Sequence, residues 1–131
     1  MGSARTIRVV AAVIEHGGRY LITQRRATAV LPLLWEFPGG RVEEGESDAA
    51  ALKREVLHRL GVDIQPGKLI SFVSHPYEHY AVELYLYEGR LLDGQPSAVN
   101  VSDFCWVASE DFEDYSFTPA DEASMSKLLG L

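Results

Sequence analysis

The chain has 131 residues, and its hydrophobic content of 47% is that of a folded globular protein. Its formal net charge of −7 argues against binding to duplex DNA or RNA, because proteins that bind duplexes concentrate lysine and arginine against phosphate. This length predicts one domain over residues 1–131, and the longest apolar run, residues 9–14, is far shorter than the roughly 20 residues that cross a bilayer. With a single cysteine, Cys105, no internal disulfide can form, so we expect a cytoplasmic protein without membrane association.

The start of the chain predicts a β-hairpin followed by a loop. Residues 6–16 are rich in β-branched residues and alanine, Gly17 and Gly18 give a two-residue turn signal, and residues 19–25 alternate again. Residues 27–34 are expected to form a loop whose leucines need cover from the core, from a ligand or from a second subunit. Both a monomer and a homodimer therefore stay open.

Residues 47–60 give the clearest helical pattern. Ser47 fits an N-cap and Gly61 fits a C-terminal stop. The apolar residues that fall on one stripe of the helical repeat are Ala49, Leu52, Val56 and Leu60.

The second half of the chain predicts three strands, an acidic helical turn and a final helix. In order, these elements are strands at residues 62–74, 80–87 and 103–108, a loop at residues 89–100, the acidic turn at residues 109–114 and a helix at residues 119–129. The order β-β-α-β-β-β-α predicts an α+β fold in which a mixed sheet packs against helices.

One edge of the predicted helix is polar. Side chains three and four residues apart on a helix lie side by side, so Glu55, His58 and Arg59 flank the apolar stripe. The simplest interpretation is a solvated edge with an ion pair between Glu55 and Arg59, which stabilises a helix by about 0.3 to 0.5 kcal/mol.

An acidic, glycine-rich loop leads into this helix. Glu43, Glu44 and Glu46 follow the pair Gly39-Gly40, with Gly45 among them. Backbone carbonyls and carboxylates are the oxygen ligands that Mg²⁺ and Mn²⁺ prefer. The loop could hold such an ion, but many acidic surface loops bind nothing, and composition alone leaves both readings open.

The spacing of these residues resembles the Nudix box of the Nudix hydrolases, over residues 40–62. The matching residues are Gly40, Glu46, the run Arg54-Glu55-Val56 and the pair Gly61-Val62. Further segments resemble the MutT-type subgroup of that family: residues 35–40, the pair Arg25-Arg26, the pair Trp106-Val107 and residues 117–121.

The resemblance implies the Nudix fold, an α/β/α sandwich with a mixed β-sheet between helices. Its box forms a loop, a helix and a second loop that hold Mg²⁺ or Mn²⁺ against a diphosphate. Members hydrolyse nucleoside diphosphates linked to another group, and MutT-type members convert nucleoside triphosphates into monophosphates and pyrophosphate. A bound metal ion neutralises phosphate charge and lowers the pKa of a bound water molecule. The implied ligand is a small nucleotide.

The resemblance also assigns roles to residues of the box. Glu55 matches the first metal-binding acid of the helix, Arg54 the arginine that orients it, and Glu46 a supporting acid. The carbonyl of Gly39 matches a metal ligand, and Glu43 or Glu44 could add another carboxylate.

This chain departs from the box at its last two acids. The family pattern has Glu-Glu where this sequence has His58-Arg59, a change of about three charge units when histidine is neutral. Arginine does not ligate metal ions and histidine prefers transition metals, although His58 could still assist Mn²⁺. A later metal-binding acid is expected near Asn100, with Asp103 close by. We therefore expect weak or absent Mg²⁺ and Mn²⁺ binding.

Two functions follow from this departure, and they belong to different classes. One is a MutT-type hydrolase of reduced or altered activity. The other is an inactive nucleotide-binding or regulatory protein in which Arg59 supplies the charge of the missing metal. A third class is a protein-interaction module that reuses the fold without binding nucleotide.

Residues outside the box are candidates for the remaining ligand contacts. At most one of Arg25 and Arg26 faces the ligand, because neighbouring strand residues alternate, and Arg26 is the preferred phosphate contact. Asp121 and Phe117 open the final helix where relatives read the base, although an acid is also ordinary in a first helical turn. Other aromatic residues could line a base pocket but more often pack in a core: Trp35, Phe37, Tyr77 and Tyr80.

Overall fold

The computed structural model describes residues 5–129 and has eight strands, two α-helices and one 3₁₀ helix within them. The strands are β1 (Arg5–Val13), β2 (Glu15–His16), β3 (Arg19–Gln24), β4 (Trp35–Glu36), β5 (Gly39–Arg41), β6 (Asp63–Pro76), β7 (Tyr80–Asp93) and β8 (Asp103–Ala108). The helices are α1 (Asp48–Leu60), α2 (Pro119–Leu128) and the 3₁₀ helix Ser109–Asp114. Within these residues, no helix combines the length and the apolar character needed to cross a membrane.

Most elements lie where the sequence pattern predicts them. The hairpin is confirmed, and its turn has positive φ at Gly17 (60°) and Gly18 (79°), as a tight two-residue turn requires. The predicted loop at residues 89–100 is confirmed for residues 94–100 and wrong for residues 89–93, because β7 continues to Asp93 and pairs there with Asp63 of β6. The predicted first strand at residues 6–16 is interrupted at Ile14, so its end forms the separate strand β2. The short strands β4 and β5 were not predicted, because two or three residues are too few to show an alternating pattern.

The strands form two four-stranded sheets. The first has the order β5-β1-β7-β6 and is mixed, because β1 runs parallel to β7 while the other pairs are antiparallel. In the second, β3 pairs with β8 along one side and with β2 and β4 along the other.

Alternation along β1 places the first sheet between the two helices. Val10 and Ala12 belong to a buried cluster that includes Leu52 and Val56 of α1. The intervening Ala11 belongs to a second cluster, which includes Ala120 and Met125 of α2. Since successive strand residues point to opposite faces, each helix covers one face of the sheet. The expected sandwich with a mixed sheet is thereby confirmed.

Helix α1 begins and ends at the predicted residues. The Ser47 side chain accepts a hydrogen bond from the Ala50 N–H, and Gly61 adopts the left-handed conformation (φ 70°) that closes a helix without a Cβ penalty. Its buried residues are Ala51, Leu52, Val56 and Leu60. Ala49, predicted on the same stripe, is exposed in the first turn, since position on a helical wheel does not ensure that another element covers the residue.

Candidate functional site

A cavity of about 510 Å³ opens beside α1 and extends to the start of α2. One set of its lining residues is cationic: Arg5, Arg25, Arg41 and Arg59. Another set is aromatic or aliphatic: Phe37, Tyr77, Tyr80, Val82 and Leu84. The carboxyl groups that line it belong to Glu36 and Asp121. A cavity with these two kinds of wall suits a ligand that has an anionic part and a flat, largely apolar part.

Two glycines let the backbone approach the site closely. A Cβ atom on Gly40 would lie 2.2 Å from Oε2 of Glu55, and one on Gly39 would lie 1.9 Å from the Val10 carbonyl oxygen. Both glycines are buried in β5 and line the cavity. The glycine pair is therefore required by space, since β5 must pass directly beside β1 and the Glu55 carboxylate.

Arg54 holds the acidic loop against the helix. Its Nε and Nη2 donate to the two carboxylate oxygens of Glu46, at 2.7 and 2.9 Å, and Nη1 donates to Oε1 of Glu55 at 2.5 Å. The hydrogen bonds from Arg54, helped by the Glu43 N–H, lower the pKa of Glu46 to about 2. Glu46 is thus a fixed anion that orients Arg54, and Arg54 in turn orients Glu55.

Arg59 continues this arrangement toward the cavity. Its Nε donates to Oε2 of Glu55 at 3.0 Å, which confirms the predicted ion pair, and its Nη1 donates to Oε2 of Glu36 at 3.1 Å. Nη1 of Arg25 donates to Oε1 of Glu36, also at 3.1 Å. Opposite charges therefore alternate without interruption across six side chains, which we name the ion-pair network: Glu46, Arg54, Glu55, Arg59, Glu36 and Arg25.

Other predicted metal ligands lie outside this network. The side chains of His58 and Glu44 are exposed, and Glu43 is 71% exposed with a carboxylate oxygen 3.9 Å from Arg54. Asn100 donates from its side chain to the carbonyl of His58, so it caps the end of α1. Asp103 is exposed and accepts a hydrogen bond from the Phe104 N–H at the start of β8.

The residues present do not fit the divalent ions that the family generally uses. Each oxygen of Glu55 already accepts a hydrogen bond from a guanidinium group, one of Arg54 and the other of Arg59. Within residues 5–129, no three side chains of His, Cys, Asp or Glu are grouped as they would be around a metal ion. A divalent ion at Glu55 would therefore have to displace Arg59, whose charge also repels it.

The two candidate arginines at the end of β3 differ in position. Arg25 lines the cavity, where Nε donates to the Val30 carbonyl at 2.6 Å and Nη1 contacts Glu36. Arg26, which the sequence interpretation preferred, is exposed and does not line the cavity. Both residues follow the last residue of β3, Gln24, and the sequence does not reveal which of them faces inward.

Asp121 is a buried carboxyl group of the cavity wall at the start of α2, and its exposed fraction is 6%. The Phe37 N–H donates to its Oδ1 at 3.0 Å, and the Thr118 hydroxyl donates to its Oδ2 at 2.5 Å. Burial, followed by the negative charge of Glu36, raises the pKa of Asp121 to about 7. Asp121 can therefore be neutral or ionised near neutral pH, so it can either donate a hydrogen bond to a ligand or accept one.

The aromatic residues divide between the core and the cavity. Phe117, a candidate for base stacking, is buried against Phe37 and Phe112 and is absent from the cavity wall. Tyr77 and Tyr80 line the cavity instead, with ring centroids 5.2 Å apart in a stacked arrangement. The Tyr77 hydroxyl also accepts a hydrogen bond from the Ala120 N–H, which ties the β6–β7 hairpin to α2.

Glu36 is the principal site residue that sequence reasoning missed. It lies between two aromatic residues in the segment Trp35-Glu36-Phe37, where a lone charge in an apolar run is the available signal. Its side chain is 13% exposed and joins Arg25 to Arg59. Arg5 and Arg41 were also missed, because arginines at strand ends are ordinary in surface positions.

Comparison with known proteins gives one consistent family. The NUDIX domain matches residues 9–127. The CTP pyrophosphohydrolase of Escherichia coli K12 is 33% identical over 129 residues, which cover 97% of this chain and 94% of that protein. An 8-oxo-dGTP diphosphatase of Haemophilus influenzae is 27% identical over 126 residues, covering 95% of this chain and 93% of that protein.

Solved structures agree with the sequence relatives. The solution structure of the E. coli ORF135 protein has a TM-score of 0.82 at 32% identity and covers 100% of this chain and 94% of that one. The crystal structure of a MutT protein from Methanosarcina mazei Go1 has a TM-score of 0.86 at 21% identity, with 99% and 96% covered, and supports the fold. On the match over residues 9–127 and the full-length relatives, this chain belongs to the NUDIX domain family.

Proposed function

We propose that this protein is a MutT-like Nudix hydrolase that acts on a phosphoanhydride bond of a nucleotide and releases pyrophosphate from a nucleoside triphosphate. The observation that carries the proposal is the mixed wall of the cavity, which combines four arginines with two stacked tyrosines and a buried carboxyl group. Guanidinium groups pair well with phosphate oxygens, and aromatic rings stack on a base.

The named activities of the relatives support the substrate class. The E. coli relative is a CTP pyrophosphohydrolase, and the H. influenzae relative is an 8-oxo-dGTP diphosphatase. Both names describe the cleavage of a nucleoside triphosphate, and the two bases differ. We therefore propose a nucleoside triphosphate as the ligand and leave its base to be decided by measurement.

Arginines and carboxylates of the site divide the work between the two ends of the ligand. Arg25 and Arg59 contact the phosphates in this proposal, while Arg54 and Glu46 position Glu55 at the reacting bond. Asp121 reads the base, either by accepting a hydrogen bond from an amino group or by donating one when protonated. Tyr77 and Tyr80 replace Phe117 as the proposed stacking surface, because they line the cavity.

Turnover that depends on Mg²⁺ or Mn²⁺ is slow in this proposal. The supporting observation is that both Glu55 oxygens are held by guanidinium groups. Pyrophosphate release should be measured over a panel containing CTP, dCTP, dGTP and 8-oxo-dGTP with each ion, and we expect turnover below about 1 s⁻¹. The variant His58→Glu/Arg59→Glu should raise it. Wild-type turnover of ordinary enzyme magnitude, or no gain in the variant, would contradict the slow-turnover proposal.

The same observation favours a second candidate, an inactive protein that binds nucleotide. Its distinguishing result is a saturable nucleotide-dependent rise in the thermal unfolding temperature together with no pyrophosphate release above background. A protein-interaction module would show neither signal. We further propose that the described residues form one domain, since β1 contributes to both buried clusters.

A further inference from the structure

We infer that Arg59 takes the place of one divalent cation in this site, so that the protein recognises a metal-free polyphosphate. This inference rests on the proposed binding of a nucleotide and adds the form in which the nucleotide binds. It predicts that Mg²⁺ weakens binding, the opposite of what a metal-dependent Nudix hydrolase needs.

The charge of the ion-pair network supports the inference. The network contains three arginines and three glutamates, so its formal charge is zero. With glutamate at position 59, the box residue that the family pattern has there, the same six positions would carry a charge of −2. One divalent ion balances that charge. The guanidinium of Arg59 achieves the same neutrality within the chain.

The position of Arg59 supports it as well. The guanidinium bridges Glu55 and Glu36, with distances of 3.0 and 3.1 Å, so it lies between two carboxylates as a bound cation would. Its side chain lines the cavity and is 25% exposed. Within residues 5–129, its Nη2 atom donates to no acceptor, which leaves a charged donor for an incoming phosphate oxygen.

The cavity as a whole favours an anion over a cation. Four arginines and two carboxyl groups line it, a formal charge of +2 when both acids are ionised, although the whole chain carries −7. Positive potential concentrated in a cavity of a negative protein attracts polyanions and repels free Mg²⁺. A nucleoside triphosphate that already carries Mg²⁺ brings less negative charge and hides the oxygens that Arg59 and Arg25 would contact.

The decisive measurement compares binding to the wild-type protein with and without the metal. The probe is CTP with a methylene bridge between the α- and β-phosphorus atoms, which resists cleavage, and the method is isothermal titration calorimetry. We expect a Kd in EDTA at least about tenfold lower than in excess millimolar Mg²⁺. An equal or lower Kd in Mg²⁺ would overturn the inference and leave the proposed function standing.

Two further titrations test whether binding depends on the base and whether the proposed nucleotide binding occurs at all. The titration is repeated with the corresponding dGTP analogue and with inorganic triphosphate. Binding of inorganic triphosphate in EDTA supports a phosphate site that works without metal. If none of the three probes binds in either buffer, the proposed nucleotide binding fails and this inference fails with it.

Substitutions at position 59 identify the residue responsible. Arg59→Gln should raise the Kd in EDTA by about tenfold or more, and Arg59→Lys, which keeps a charge but loses the planar donor pair, should give an intermediate value. Arg90→Gln is the matched control, because Arg90 is exposed, lies outside the cavity wall and gives the same change of charge. Equal losses in Arg59→Gln and Arg90→Gln would overturn the assignment to Arg59.

A reversal of the metal effect gives a second readout. In His58→Glu/Arg59→Glu, the box regains its acidic pair, so Mg²⁺ should lower the Kd of the CTP analogue. Titration with Mn²⁺ alone should give heat of binding in this variant and none in the wild-type protein at the same concentration. Wild-type binding of Mn²⁺ as tight as that of the variant would overturn the inference. If Arg59→Gln fails to fold, the wild-type comparison and Arg59→Lys still decide it.

Discussion

Two carboxyl groups, Glu46 beside helix α1 and Asp121 in the cavity wall, have opposite electrostatic surroundings. Glu46 is held by Arg54 through two hydrogen bonds, and its pKa falls to about 2. Asp121 receives hydrogen bonds from the Phe37 N–H and the Thr118 hydroxyl and has no salt-bridge partner among the described residues, and its pKa rises to about 7. A guanidinium partner keeps the first group ionised, while burial and the negative charge of Glu36 make the second ready to take up a proton.

This difference separates two parts of the site. In the proposed function, the ion-pair network meets the polyphosphate through Arg25 and Arg59 at the cavity wall. Asp121, whose proton can be gained or lost, would hydrogen-bond to the base in the same proposal. The following predictions test each part, beginning with the largest expected effect on stability.

The largest effects should come from adding a Cβ atom to the glycine pair of β5. Gly40→Ala places a Cβ atom 2.2 Å from Oε2 of Glu55, a side chain that two arginines hold in position, so we expect a loss of about 2 kcal/mol in unfolding free energy. Urea unfolding measures it. Adding Glu55→Ala should restore part of the loss. Gly39→Ala, which meets the Val10 backbone, should lose more and gain nothing from Glu55→Ala.

The next effect concerns the pH dependence that Asp121 confers. Folding raises the pKa of the Asp121 carboxyl group, so this group ionises at a lower pH in the unfolded chain than in the folded protein. The free energy of unfolding therefore falls as the pH rises from about 4 to about 7. Asp121→Asn should therefore gain stability over the wild type, on the order of 2 kcal/mol at pH 8 and little at pH 4.

A paired carboxylate gives the control of opposite sign. Hydrogen bonds from Arg8 lower the pKa of Asp48. Compared with the wild type, Asp48→Asn should therefore lose more stability at pH 8 than at pH 4. Thermal unfolding at both pH values measures both variants. The same direction of change in the two would contradict the contrast between paired and unpaired carboxyl groups.

The smallest effect on stability should come from removing the Arg54 guanidinium that donates hydrogen bonds to Glu46. Arg54→Gln removes the main cause of its low pKa, which should move from about 2 toward its ordinary 4.5. Since Glu46 stabilises the fold above its ordinary pKa and loses that contribution as the pH falls through about 2, the variant should unfold at a higher pH during acid titration. Carboxyl NMR titration measures the shift, and Lys53→Gln, which alters the exposed pair with Asp63, should leave Glu46 unchanged.

The sequence predicted the elements whose patterns are local and long. The hairpin turn at Gly17-Gly18, helix α1 with its Ser47 cap and strand β8 were all readable, because each depends on neighbours within a few residues. The extension of β7 to Asp93 was not, because pairing with distant Asp63 holds a stretch that carries turn signals. Tertiary pairing overrode a local preference there.

The same distinction between local sequence pattern and tertiary packing applies to the residues of the site. The Glu55–Arg59 ion pair followed from helical spacing, and the orientation of Glu55 by Arg54 followed from the family resemblance. Arg25 rather than Arg26 at the cavity, and Phe117 in the core rather than at the base, depended on packing that alternation does not specify.

By itself, the sequence determined the family and the helix that places Glu55 beside Arg59, since these are properties of residue type and spacing. Only the tertiary structure decided which carboxylate Arg59 contacts beyond Glu55. Glu36 is far from Arg59 in the chain, and the fold brings them to 3.1 Å, because α1 packs against the sheet beside the segment that carries Glu36. Charges interact strongly only over a few ångströms, so the electrostatic effect of a charged residue depends on the groups that folding brings next to it.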